Sequence, residues 1–124
     1  MRVLVIEDNK DLLELIGGLL TDQGYKVTCI DNLADAMQYF KEGTPAPVDV
    51  IFTDYALKGA TSEKLVELMK EKMSGARIIM TSADVPHMKK CMEPLFAGKM
   101  IDAVIAKPYD FNVLLNLVRE FGEP

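Results

Sequence analysis

VLVIEDN, residues 3–9, runs four apolar residues directly into two adjacent carboxylates. Val3, Val5 and Ile6 are β-branched, and a short apolar run with no polar face suits a strand buried on both sides. Glu7 and Asp8 at the end of such a strand repel each other and lose hydration. A fold tolerates that arrangement when the loop is simply solvated, or when something cationic sits there.

The rest of the chain narrows the setting. With 124 residues, 49% hydrophobic and 27% charged, residues 1–124 are expected to form one globular domain. Fourteen basic residues against 19 acidic ones leave a net charge of −5, so a phosphate backbone is repelled on average and no direct nucleic-acid binding is expected. No segment approaches the roughly 20 apolar residues of a membrane span, and Val3–Ile6 is too short for the apolar core of a signal peptide. Cys29 and Cys91 fit no metal or redox spacing, which predicts reduced thiols in a cytoplasmic protein.

Apolar runs alternate with helical patterns. Val3–Ile6, Val48–Thr53, Arg77–Thr81 and Ala103–Ala106 read as buried strands, and the more mixed Tyr25–Ile30 reads as an edge strand. Leu12, Leu15, Ile16 and Leu19 recur at helical spacing before a stop at Gly24. Leu33, Ala36, Met37 and Phe40 follow candidate caps Asp31 and Asn32. Thr61 or Ser62 is expected to cap a third helix using Leu65, Leu68 and Met69, ending near Ser74 and Gly75, with Lys70, Glu71 and Lys72 as its solvated face. A fourth helix, Met88–Ala97, contains Pro94, which should kink or truncate it. Phe111, Leu114, Leu115 and Val118 form the fifth stripe. The pattern predicts an α/β fold of five strands and five helices: a doubly wound, five-stranded parallel sheet with right-handed crossovers.

Ligands in open α/β sheets bind outside the carboxyl ends of the strands. Those ends carry Glu7 and Asp8, Asp54, Thr81 and Lys107. Three carboxylates, one hydroxyl and one ammonium should therefore share a rim. Nearby carboxylates call for a hard cation with oxygen ligands, and Mg²⁺ fits that description. A carboxylate beside such an ion can attack a phosphoryl group, while positioned donors such as Lys107 and Thr81 hold the transferring oxygens.

The segments VLVIEDN, DVIFTDY, RIIMTSA and AVIAKPY together resemble the receiver domain of two-component response regulators, from Arg2 to about Phe121. The resemblance implies a flavodoxin-like sheet of order 2-1-3-4-5 and Asp54 as phosphoacceptor. It implies Mg²⁺ held by Asp8 directly, by Glu7 through water, by Asp54 and by the backbone carbonyl of Ala56. Thr81 and Lys107 would bind the phosphoryl group, and the Lys107–Pro108 peptide would be cis. It further implies a histidine kinase or histidine phosphotransfer protein as phosphodonor, and a domain that assists its own phosphorylation and dephosphorylation without being an enzyme in its own right.

Taken singly, each residue has an ordinary explanation: loop solvation or helix capping for Glu7 and Asp8, turn formation for Asp54 and Lys107–Pro108, strand-end hydrogen bonding for Thr81. Their conjunction, each at the end of its own strand, is what carries the reading. Rival functions fit less well. A flavin carrier needs an uncharged phosphate loop where EDNKD stands, and a dinucleotide enzyme needs a glycine fingerprint that is absent there. A dehalogenase-type hydrolase places a second Asp two positions on, where this chain has Lys10. The remaining alternative is a receiver-fold interaction module that works without phosphorylation.

The chain departs from the family pattern at several points. Lys58 replaces a common proline, and YALKGATS lacks the usual Met-Pro-x-x-Asp-Gly loop. Val104 stands where the family usually has the Tyr or Phe that reorients on phosphorylation, and Tyr109 is not that residue. Residues 86–102 form a longer segment than usual, with Pro94 and Gly98, and Ala56 and Ala83 offer no acid or amide to position attacking water. His87 is expected to be exposed, and the eight methionines to fill core gaps. Since the sequence stops soon after the fifth helix, the output is expected to lie in a separate protein partner or in an output domain outside it.

Overall fold

Successive strand residues point to opposite faces of a sheet, and here both faces are apolar. Val3, Val5, Val50, Phe52 and Ile79 join one buried cluster, whereas Leu4, Ile6, Ile51, Ile78 and Met80 join the other. In the computed structural model, which describes residues 1–42, 46–57 and 62–122, these residues lie on β1 (Arg2–Ile6), β3 (Val50–Asp54) and β4 (Arg77–Ser82). With β2 (Lys26–Ile30) and β5 (Ala103–Ala106) they form a five-stranded sheet of order β2-β1-β3-β4-β5, parallel at every pairing. The mixed β2 is an edge strand, and β5 closes the other edge.

Helices cover both faces. α1 (Lys10–Asp22) and α6 (Phe111–Gly122) pack on the side of Val3 and Phe52, through Ile16, Leu20, Leu114 and Val118. α2 (Leu33–Lys41), α3 (Ser62–Lys72), α4 (Val85–Cys91) and α5 (Glu93–Ala97) pack on the other, through Phe40, Leu65, Met88 and Leu95. Asn9 caps α1 by accepting from the Leu12 N–H at 3.1 Å, and Asn32 caps α2 by accepting from Asp35 at 2.7 Å. Gly24 takes φ +90 just past α1, a conformation that ends a helix cheaply only in glycine. Thr61 and the Ser62 side chain lie outside the described residues.

Three expectations need correcting. The buried stripe of α1 is Leu13, Ile16, Gly17 and Leu20, whereas Leu15 is 48% exposed. Leu and Ile occupy two overlapping stripes here, and contact with β2 selects between them. A Cβ on Gly17 would meet Cys29 Sγ at 2.9 Å, so the helix turns its glycine toward the strand. The expected fourth helix is two helices, making six in all among the described residues: α4 starts earlier, at Val85 behind an Asp84 cap, and stops at Cys91. Pro94 has no N–H to donate, and its ring excludes the carbonyl four residues back, so α5 has to start afresh around it. Lys70, finally, is not simply solvated: its Nζ donates to the Ala76 carbonyl at 3.1 Å and lies 3.9 Å from Asp102 Oδ2.

Candidate functional site

The carboxyl ends of four strands deliver polar side chains to one rim. Glu7 follows β1, and its backbone N–H still donates to the Ile30 carbonyl of β2 at 3.1 Å. Asp54 is the last residue of β3 and sits opposite Thr81 in the ladder with β4. Lys107 follows β5, anchored by its N–H to the Ser82 carbonyl at 2.9 Å. The ladders therefore bring together residues that sequence distance separates.

Charge is buried here. Glu7 is 1% exposed and Asp54 4%, and the Lys107 ammonium lies between them, donating to Glu7 Oε1 at 3.0 Å and Asp54 Oδ2 at 2.9 Å. Glu7, Asp8 and Asp54 each present a carboxylate oxygen, all within 4.8 Å of one another. Asp54 Oδ1 also accepts from the Ala56 N–H at 3.2 Å. Burial raises the Glu7 pKa above its ordinary 4.5; the Lys107 hydrogen bond opposes the rise and the Asp54 charge adds to it. For Lys107, burial works against the charged form, but the contacts with Asp54 and Glu7 outweigh it and raise the pKa above 10.5. The causes differ, burial for Glu7 and the neighbouring carboxylates for Lys107, but both groups hold on to protons.

The neighbouring positions complete the picture. Thr81 Oγ1 is fully buried with no hydrogen-bond partner among the described residues. The Lys107–Pro108 peptide is cis. Tyr109, just beyond it, packs edge-on against Phe52 and Phe111 at 6.1 and 5.8 Å, and burial pushes its phenol up to about 12. Val104 pairs with Met80 in β4 and is half-buried against the α2–α5 cluster. His87 is exposed.

Two contributors escaped the sequence reading. Ser82 Oγ accepts from the Asp84 N–H at 3.0 Å, and Asp84 Oδ1 accepts from the His87 N–H at 3.1 Å, so the residues after Thr81 tether α4 to the rim. The signal was present in SADVP, an Asp shortly before a proline at a helix start. Tyr55 was also passed over; it follows Asp54, and its N–H donates to the Thr81 carbonyl at 2.9 Å.

A parallel sheet of this order with an acidic rim and a bridging lysine is the architecture of a receiver. The sequence profile of the response regulator receiver domain matches residues 3–119, and the chain belongs to that family. Among its relatives is the two-component response regulator ORR6 of Oryza sativa subsp. japonica, 28% identical over 123 residues covering 96% of this chain and 71% of that protein. The transcriptional regulatory protein DltR of Streptococcus agalactiae is 29% identical over 119 residues, covering 96% of this chain and 50% of DltR, so the chain spans half the length of that relative. Among solved structures, the response regulator TrrA of Thermotoga maritima, in complex with Mg(2+)-BeF, superposes with a TM-score of 0.75 at 22% identity, covering 97% of each chain. No helix among the described residues is long and apolar enough to cross a membrane.

Proposed function

We propose that residues 1–124 act as one phosphoacceptor receiver domain, in which Asp54 takes a phosphoryl group from a histidine kinase or histidine phosphotransfer protein in a Mg²⁺-dependent reaction. The observation that carries this is the pairing of a buried carboxylate cluster with a single bridging ammonium. An Asp54 oxygen attacks phosphorus, the new P–O bond forms, and the bond from phosphorus to the donor nitrogen breaks with its electron pair leaving on the donor imidazole. Lys107 is placed to exchange a carboxylate contact for a phosphoryl oxygen, and the unpartnered Thr81 hydroxyl is a donor waiting for another.

The donor set fits Mg²⁺: three carboxylates converge within 4.8 Å, all hard oxygen ligands, with more negative charge than Lys107 neutralises. Glu7, Asp8, Asp54 and the Ala56 backbone carbonyl would hold the ion. Bound there, it would supply positive charge against the phosphoryl oxygens. Signalling then passes to a downstream protein or an attached output domain through conformational change. A cytoplasmic location agrees with the two free cysteines, Cys29 and Cys91.

Acetyl phosphate with Mg²⁺ tests the assignment. Intact mass spectrometry should show one added phosphoryl group, and Asp54→Asn should remove it. Unchanged labelling of that variant would falsify the choice of Asp54; no labelling of the wild type under any phosphodonor would favour the phosphorylation-independent interaction module.

A further inference from the structure

His87 and Cys91 stand four positions apart on α4, so their side chains share one face of the helix. Both are exposed, and Cys91 Sγ lies 3.4 Å from His87 Nε2. The helix under them is held in place. Met88 and Met92 are buried on its inner side. The Met88 N–H donates to the Asp84 carbonyl at 3.0 Å and the Met92 N–H to the Met88 carbonyl at 2.9 Å. Asp84 Oδ1 accepts from the His87 N–H at 3.1 Å, which fixes the first turn.

Zn–S and Zn–N bonds of about 2.3 and 2.0–2.1 Å, meeting at a tetrahedral angle, place sulfur and nitrogen roughly 3.5 Å apart. The pair on α4 already has that separation. The spacing between the two cysteines showed no metal motif because the second ligand is a histidine one helical turn back. A thiolate and an imidazole suit Zn²⁺, whereas the carboxylates of the rim suit Mg²⁺, so the two places select different ions. Among the described residues, the convergent group of three such ligands is Glu7, Asp8 and Asp54, which leaves His87 and Cys91 as a pair. One chain thus supplies two of the four ligands that tetrahedral Zn²⁺ takes. We propose that His87 and Cys91 are half of a zinc site, completed by the same pair from a second copy of this chain. A two-fold contact brings each pair opposite its twin by symmetry. Two thiolates balance the charge of the ion, so the contact buries no net charge. Each Cys91 thiol gives its proton to solvent as the S–Zn bond forms, and each neutral imidazole donates its Nε2 lone pair. Lys89 and Lys90, exposed on the same short helix, repel their counterparts, so the copies stay apart without the ion. The site does not depend on phosphorylation of Asp54.

Cobalt reports on the site directly, because a thiolate bound to Co²⁺ gives a sulfur-to-metal charge-transfer band that carboxylates do not. Co²⁺ is titrated into the Cys29→Ser protein under a non-thiol reductant, with excess Mg²⁺ to occupy the rim. The charge-transfer band and the intense visible bands of tetrahedral Co²⁺ should saturate at one ion per two chains, and Zn²⁺ should displace them. Sedimentation velocity should show a dimer with Zn²⁺ and a monomer in chelator. His87→Ala and Cys91→Ser each remove a ligand from an exposed position and should weaken binding by more than the roughly 10- to 100-fold that loss of an outer-shell partner costs. The double variant Lys89→Cys with Cys91→Ser keeps one thiol on α4 but takes it off the face of His87, and should bind as poorly as Cys91→Ser. Absence of the charge-transfer band in the Cys29→Ser protein overturns the site. A band that survives in the double variant overturns the pairing with His87. Saturation at one ion per chain in a monomer, or a dimer that persists in chelator, overturns completion of the site by a second copy.

Discussion

Lys107 Nζ stands 2.9 Å from Asp54 Oδ2, although 53 positions of sequence separate the two residues. The same ammonium contacts Glu7, so one cation holds two buried carboxylates together. Lys107→Ala should therefore destabilise the metal-free protein by about 3 kcal/mol, as loss of one partner from a buried charge cluster does. Urea unfolding in a chelator measures this, and added Mg²⁺ should restore part of the loss. A variant as stable as the wild type would show that the contact contributes nothing.

Mg²⁺ should stabilise the fold, because ligands that bind only the native state do so by mass action. At ten times the dissociation constant the gain is about 1.4 kcal/mol. Asp8→Asn should shrink it. Thermal melts with and without millimolar Mg²⁺ that coincide for the wild type would rule out a metal at this rim.

The raised pKa of Glu7 has a definite sign. The folded protein holds this proton more tightly than the unfolded chain, whose carboxyl titrates near 4.5. The stabilising effect is full below that value and is lost as pH rises through the higher folded-state pKa. In a chelator, Glu7→Gln should thus gain stability relative to the wild type as pH goes from 4.5 toward neutral. Urea midpoints at both ends of that interval check it; a variant that loses stability relative to the wild type as pH rises contradicts the shift.

Asp102 joins elements that meet far from the rim. Its Oδ2 accepts from the Ile78 N–H at 2.8 Å, and Arg77 and Lys70 approach it at 3.4 and 3.9 Å. Asp102→Ala leaves a part-buried backbone donor unsatisfied and should cost about 2 kcal/mol, whereas Asp102→Asn keeps an acceptor and should cost about half of that. Equal losses in the two variants would mean that the charge, not the acceptor, matters.

The central strands were legible because both their faces are buried: Val3–Ile6 is fully buried and shows as an apolar run with no competing pattern. The apolar Ala103–Ala106 was legible although it lies at an edge and is only partly buried. Their carboxyl ends then marked the rim, since strand direction in a parallel sheet places Glu7, Asp54, Thr81 and Lys107 on one side regardless of loop content. Helix rotation was less legible. Leu12, Leu13, Leu15, Ile16, Leu19 and Leu20 support two stripes, and only the contact of Gly17 with Cys29 chooses one. The split at Met92 was half visible, in that Pro94 announced a defect but not that a second helix would form behind it. Tertiary polar contacts such as Lys70–Asp102 or Ile78–Asp102 leave no periodic trace, so nothing in the linear order pointed to them.

Glu7 and Lys107 touch across 100 positions, and that span orders events while the chain is being made. The acidic residues leave the ribosome first and their counter-charge comes last. Until β5 docks on β4, the rim is a set of carboxylates with no internal cation, open to water and to any divalent ion in the surroundings. Closing the loop is not the obstacle: going from a 53-residue to a 100-residue separation adds only about 0.6 kcal/mol of chain entropy. Synthesis order is what delays it. A nascent chain therefore cannot close the contacts of Lys107 with Glu7 and Asp54 before nearly all of the fold exists.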